Sequence, residues 1–157
     1  MTQEKREFED WLSCARQAKR VALLAHISPD GDTVGSTLAL RLAFLAMGKQ
    51  VDVICDGDVP DNLKFLTGSE SVLHPEDVNG SDYDTAIAVD VSDRSLLGKS
   101  ETVFDAAGIR MVIDHHATNP AYGQVNFIRG GESACCLLAY EAICGLGIEI
   151  TKDIGTC

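Results

Sequence analysis

The sequence predicts an α/β fold, a mainly parallel β-sheet with helices on both faces. Three observations carry that expectation. Residues 21–25, 51–55, 85–90 and 109–113 are near-continuous apolar runs of strand length, the pattern of strands buried on both faces. Segments of helical spacing alternate with them, so right-handed crossovers follow. Ionisable residues cluster at or just beyond the ends of three runs, where open α/β sheets hold their ligands.

In chain order, residues 7–20 form the first helix, with Phe8, Trp11, Leu12, Ala15 and Ala18 on one side and Lys19-Arg20 closing it. Strand 21–25 ends at His26, and Ser28-Pro29-Asp30-Gly31-Asp32 breaks the chain. Residues 33–47 are helical, with Val34, Leu38, Leu42 and Leu45 or Ala46 toward the sheet and Gly48 at the stop. Gly35 and Ser36 are small enough to let this helix pack close to the site. Strand 51–55 and an acidic loop lead to a helical turn around Leu63, Phe65 and Leu66. Strand 85–90 precedes the turn Ser92-Asp93-Arg94 and a helix ending near Gly108, and strand 109–113 runs into Asp114-His115-His116. Residues 124–128 form a short edge strand. After Gly130-Gly131 an apolar helix covers 132–144, and 152–157 opens another. His74 reads as a surface residue, Met47 and Met111 as core.

The 157 residues fit one domain, and 45% apolar content with 4 prolines excludes a disordered or collagen-like chain. Six cysteines without C-x-x-C or zinc-finger spacing read as reduced and mostly buried. No run of 18 apolar residues occurs, and the first residues lack the basic start and apolar stretch of a secretion signal, so a cytoplasmic protein without a membrane partner is expected. A formal charge of −11 argues against binding duplex DNA through a basic face, yet leaves room for a small phosphorylated substrate.

The strand-end clusters carry the chemistry. A carboxylate or imidazole at the tip of a buried strand is costly to desolvate unless it is paired, hydrogen-bonded or bound to a metal. His26, Asp30, Asp32, Asp90 and His115 offer nitrogen and hard oxygen donors without cysteine, a set suited to Mn²⁺ or Mg²⁺, and the imidazoles tilt the choice toward Mn²⁺. If the tips converge, Asp30, Asp32, Asp90 and Asp114 crowd one crevice, and their mutual repulsion calls for cations. Two ions sharing Asp90 would activate a water and neutralise a phosphoryl oxygen, which makes phosphoester hydrolysis the natural reaction.

Three motifs also bring a family into view. The stretch from Val21 through His26-Ile27-Ser28-Pro29-Asp30-Gly31-Asp32 to Gly35-Ser36 resembles the first motif of the DHH phosphoesterases. Ala88-Val89-Asp90-Val91-Ser92-Asp93 resembles the second and Val112-Ile113-Asp114-His115-His116 the third. Within the family the chain looks like the NrnA-like bacterial oligoribonucleases, which also remove a phosphate from phosphoadenosine phosphate. The resemblance implies a domain with Rossmann-like layers and two divalent cations, Mn²⁺ before Mg²⁺. His26 and Asp30 would hold the first ion, Asp32 and His115 the second, and Asp90 would bridge them as a catalytic residue. Asp114 would orient an imidazole, and His116 would contact the substrate phosphate or aid the leaving group. Arg94 is a candidate phosphate contact through its paired guanidinium donors, with a turn salt bridge as the alternative. Ser133 stands at a helix start that would favour a phosphate or need a cap.

The chain departs from the family's pattern at its end. The fourth motif, whose Asp helps bind the second metal, does not follow, and Asp153 lies too early to be that residue. No room exists for the substrate-binding C-terminal domain. Residues 1–157 are thus expected to be the amino-terminal domain alone, weak or inactive by itself. The expected partner is short single-stranded RNA or a small phosphorylated nucleotide, and a homodimer is conceivable if an apolar face lies bare. Single-strand DNA exonuclease, cyclic dinucleotide phosphodiesterase, pyrophosphatase and a non-catalytic nucleotide-binding module are the alternatives. The aromatic and basic groove that the first of these needs is not visible in the sequence.

Overall fold

A computed structural model describes residues 2–157. Five strands, β1 (Arg20–Leu24), β2 (Gln50–Ile54), β3 (Thr85–Val89), β4 (Ile109–Asp114) and β5 (Val125–Ile128), form one sheet in the order β2-β1-β3-β4-β5. Every pair is parallel. The chain steps outward from β1 to β2 on one side and from β3 through β4 to β5 on the other. The order therefore reverses between β1 and β3, the switch point at which an open sheet of this kind leaves a crevice beyond its strand ends.

Alternate side chains divide the core in two. On one face Val21, Leu23, Val53, Ile87, Val89, Met111 and Ile113 pack against α1 (Gln3–Gln17), α2 (Gly31–Ala46), α4 (Cys135–Gly145) and α5 (Lys152–Thr156). On the other, Ala22, Leu24, Ala86, Ala88 and Val112 meet Tyr83, Leu97, Val103 and Phe104, the last two from α3 (Glu101–Ala106). The edge strand β5 is covered by α1, with the Phe8 and Phe127 rings 4.8 Å apart and Trp11 buried beside them. The long connection between β2 and β3 carries short 3-10 turns, one of them at Asp61–Leu63.

Several boundaries differ from the sequence reading for identifiable reasons. The first helix stops at Gln17, because the amides of Lys19 and Arg20 donate to the Asp84 carboxylate at 3.0 and 2.8 Å and draw the chain into β1. In α2 it is Phe44, not Leu45 or Ala46, that reaches the core; Leu45 and Ala46 are exposed. Gly35 approaches the carbonyl of Cys157 so closely that a Cβ would lie 2.3 Å from its oxygen, so its smallness serves α5. The helix expected after Arg94 is split. A 3-10 segment, Arg94–Ser100, is interrupted at Gly98, whose φ of 56° sits where a Cβ would strike Ile27 and Asp56 at about 2.5 Å, and α3 follows. The cysteines are all free, but only Cys55 and Cys135 are buried, while Cys136 and Cys144 are exposed. Among the described residues no helix is long and apolar enough to cross a membrane.

Candidate active site

Local structure at the end of β1 is set by Asp30. Its Oδ1 accepts from the amides of Asp32 and Thr33 at 3.0 and 3.1 Å, which caps α2 and points the helix start at the crevice. Thr33 then ties α2 to β3, its hydroxyl donating to the buried carbonyl of Val89 at 2.9 Å. One residue later the chain turns sharply: Asp90 has a φ of 60°, a left-handed conformation that a non-glycine residue adopts at a cost of about 1–3 kcal/mol. That turn aims its carboxylate across the switch point.

His26, Ser28, Asp30, Asp32, Asp90, Ser92, Leu96, His115 and His116 line a crevice of about 320 Å³. His26 Nε2 is 3.8 Å from Asp30 Oδ1, and donor atoms of His26, Asp30 and Asp90 lie within 4.8 Å of one another. His115 Nε2 is 3.6 Å from Asp32 and 3.5 Å from Asp90. The other ring nitrogen of His115 faces the Glu132 carbonyl at 2.9 Å, so Nδ1 carries the proton and Nε2 presents its lone pair to the carboxylates.

Asp90 is only 4% exposed, and its Oδ1 is a buried oxygen with no hydrogen-bond partner. Burial first, then the carboxylates of Asp32 and Asp114, push its pKa up to about 8. Burial lowers that of His26. An orphaned carboxylate oxygen among imidazole lone pairs and further carboxylates is the environment a divalent cation satisfies, so the residues fit the metal that the sequence calls for.

Asp114 is fully buried and does not line the crevice, so it meets no substrate and serves the site only through the imidazole it orients. Its Oδ1 accepts from the His115 amide at 2.9 Å and from His116 Nδ1 at 2.8 Å. The hydrogen bond to Asp114 raises the pKa of His116, and the ring keeps Nε2 for the crevice. Arg94 is the clearest correction. Its guanidinium pairs with Glu101 at 2.5 Å and with Asp105, and it is absent from the crevice lining. Ser133 is exposed and does not cap α4; the N-cap is Ala134, which has no side chain to do so. Asp32 supplies the cap instead, accepting from the amides of Cys135 and Cys136 at 2.7 and 2.9 Å. Sequence reasoning also missed Asn119, Thr33 and the Glu132 carbonyl, whose roles come from partners far along the chain; only the Asn-Pro dipeptide at Asn119 marks a turn in the sequence.

Residues 20–157 match the DHH family, N-terminal domain. The chain belongs to the DHH family. It is therefore a domain of a metal-dependent family of phosphoester hydrolases. It is 30% identical over 136 residues to the bifunctional oligoribonuclease and PAP phosphatase NrnA of Thermus thermophilus, covering 87% of this chain and 40% of that protein. An uncharacterized protein of Methanocaldococcus jannaschii is 23% identical over 137 residues, which are 85% of this chain and 28% of that one. The fold also matches the crystal structure of an exopolyphosphatase-related protein from Bacteroides fragilis, with a TM-score of 0.89 at 23% identity, over 98% of this chain and 48% of the other. This DHH chain thus spans less than half the length of each of these relatives.

Proposed function

We propose that this domain forms the metal-binding half of a phosphoesterase that hydrolyses short oligoribonucleotides or phosphoadenosine phosphate. The observation that carries the reading is the meeting of His26, Asp30, Asp32, Asp90 and His115 around an unpartnered, buried Asp90 oxygen at the switch point. The likeness to the Thermus enzyme supports the substrate class. His26 and Asp30 would hold one divalent cation, Asp32 and His115 a second, with Asp90 between them and Mn²⁺ favoured by the imidazoles. Bound there, such ions supply Lewis acidity toward the phosphoryl group and a water activated for attack.

The chain's own residues do the rest. Among the described residues no Lys or Arg lines the crevice, so without cations its carboxylates repel a phosphate; binding of substrate and of metal are coupled. The Asp114 carboxylate holds His116 at Nδ1 and favours the protonated ring, so Nε2 faces the crevice, where in that form it would bind a phosphoryl oxygen or protonate the leaving oxygen. Ser28 and Ser92 add hydroxyl donors at the rim. The lack of basic and aromatic lining favours a short substrate over a long single strand.

The test incubates this chain, and a longer polypeptide containing it, with Mn²⁺ and either phosphoadenosine phosphate or a diribonucleotide. Phosphate or mononucleotide release that depends on the metal and is lost in Asp90→Ala supports the reading. Release that is metal-independent or survives the substitution overturns it, and Mn²⁺ binding without turnover in the longer polypeptide assigns a nucleotide-binding module instead.

A further inference from the structure

We infer that Asn119 is a positioning residue that clasps two strand tips of the site together, an assignment that rests on the phosphoesterase reading only for its effect on turnover. The Asn119 Nδ2 group donates to Asp114 Oδ2 at 2.7 Å and to the Val91 carbonyl at 3.0 Å. The first acceptor is the carboxylate that holds His116, and its other oxygen is already taken by the His115 amide and the His116 ring. Asn119 therefore satisfies the remaining oxygen of a fully buried carboxylate. The second acceptor directly follows Asp90, whose left-handed turn needs support; Tyr122 donates to the same carbonyl at 2.9 Å. One amide group thus links the end of β3 to the end of β4 and fixes both Asp90 and His116 relative to each other.

The orientation of that amide is determined. Its Oδ1 accepts from the Ala121 amide at 2.9 Å, and a flipped amide would set oxygen against a carboxylate and a carbonyl. A residue that only closed the turn would need Oδ1 and the backbone bond from the Asn119 amide to the His116 carbonyl at 3.1 Å, both of which are local. The two donated hydrogens add nothing to the turn. They act on the site alone.

Asn119→Asp keeps the acceptor for Ala121 and removes both donors; Asn119→Ala removes that acceptor as well but adds no charge beside Asp114. Two readouts on the purified protein are independent of turnover: solvent exchange of the imidazole Nδ1–H protons by NMR without metal, and the Mn²⁺ dissociation constant. The expected result is roughly tenfold faster exchange at His116 and roughly tenfold weaker Mn²⁺ binding, in the range for loss of a partner that orients a metal ligand. Exchange at His115, whose proton lies on the Glu132 carbonyl, stays at the wild-type rate, while the thermal midpoint falls by a few degrees because the buried Asp114 oxygen loses its partner. Unchanged His116 exchange and unchanged affinity in Asn119→Ala overturn the inference. So does equal acceleration at both imidazoles, which is the signature of a merely structural role. A longer polypeptide containing this chain that binds Mn²⁺ but hydrolyses nothing would sink the phosphoesterase reading and leave these two measurements intact.

Discussion

Asp90 sits in a strained turn, out of contact with water and facing other carboxylates, and that position sets its titration. With its pKa raised from 3.8 to about 8, the metal-free folded chain keeps a proton that the unfolded chain has lost. Native protein then binds more protons than unfolded protein between pH about 4 and 8, so stability falls as pH rises through that window. His116, also raised, works in the same direction, and His26, lowered by burial, works against it; comparison of wild type with Asp90→Asn isolates the Asp90 contribution. Asp90→Asn should stabilise the metal-free protein at pH 7 by on the order of 1–4 kcal/mol, with the gain vanishing below about pH 4. Denaturant melts in chelator across pH check this. The same substitution should weaken Mn²⁺ binding by about 100-fold or more, because an amide oxygen lacks the charge that binds the ion. Among the residues that meet at the site, His26, Asp90 and His115 were legible because they follow closely on buried strands, where a charged group demands a reason, and Asp30 and Asp32 because they stand in the turn that opens α2. The sequence could not choose between a phosphate contact and a salt bridge for Arg94, because Glu101 and Asp105, which hold it, become neighbours only once the 3-10 segment and α3 form.

The N-terminus of α4 depends on a residue 103 positions earlier in the chain. Ala134 leaves the first amides of the helix without a local cap, and the Asp32 carboxylate receives two of them. This arrangement spreads the Asp32 charge onto the helix dipole while leaving the group beside His115. Asp32→Ala should therefore loosen α4 as well as the site. The amides of Cys135 and Cys136 should exchange with deuterium roughly tenfold faster, the equivalent of a lost cap of about 1 kcal/mol, while amides in the last turn of α4 keep their wild-type rates. Uniform acceleration along α4 would count against Asp32 as the cap. Elements were legible in the sequence to different degrees for the same reason. Strands declared themselves by continuous apolar runs and agree within about one residue. Helix ends are set by partners such as Asp84 for α1 and Asp32 for α4, which no local pattern encodes.

Across the whole molecule, the strand order puts the β1 and β3 tips side by side at the reversal, so the first and second motifs meet although 58 positions separate Asp32 from Asp90. The alternation of strands and helices predicted the parallel sheet, but the order itself depends on pairings between distant segments and had to be read from the structure. The fold thus gathers several carboxylates of a chain with formal charge −11 into one crevice, a local repulsion that the packed core must overcome in the absence of cations. A ligand that binds only the folded state stabilises it by about 2.7 kcal/mol at one hundred times its dissociation constant. A domain of this size gains roughly 2–4 °C per kcal/mol. Mn²⁺ at that concentration should accordingly raise the thermal midpoint by about 5–10 °C, reversibly with chelator. Mg²⁺ at the same concentration should do less, since imidazole nitrogens suit it poorly. The shift should disappear in Asp90→Ala and persist in Arg94→Ala, because Arg94 lies outside the crevice. Equal shifts in wild type and Asp90→Ala would place the bound ions elsewhere on an acidic surface and break the link between the strand tips and metal binding.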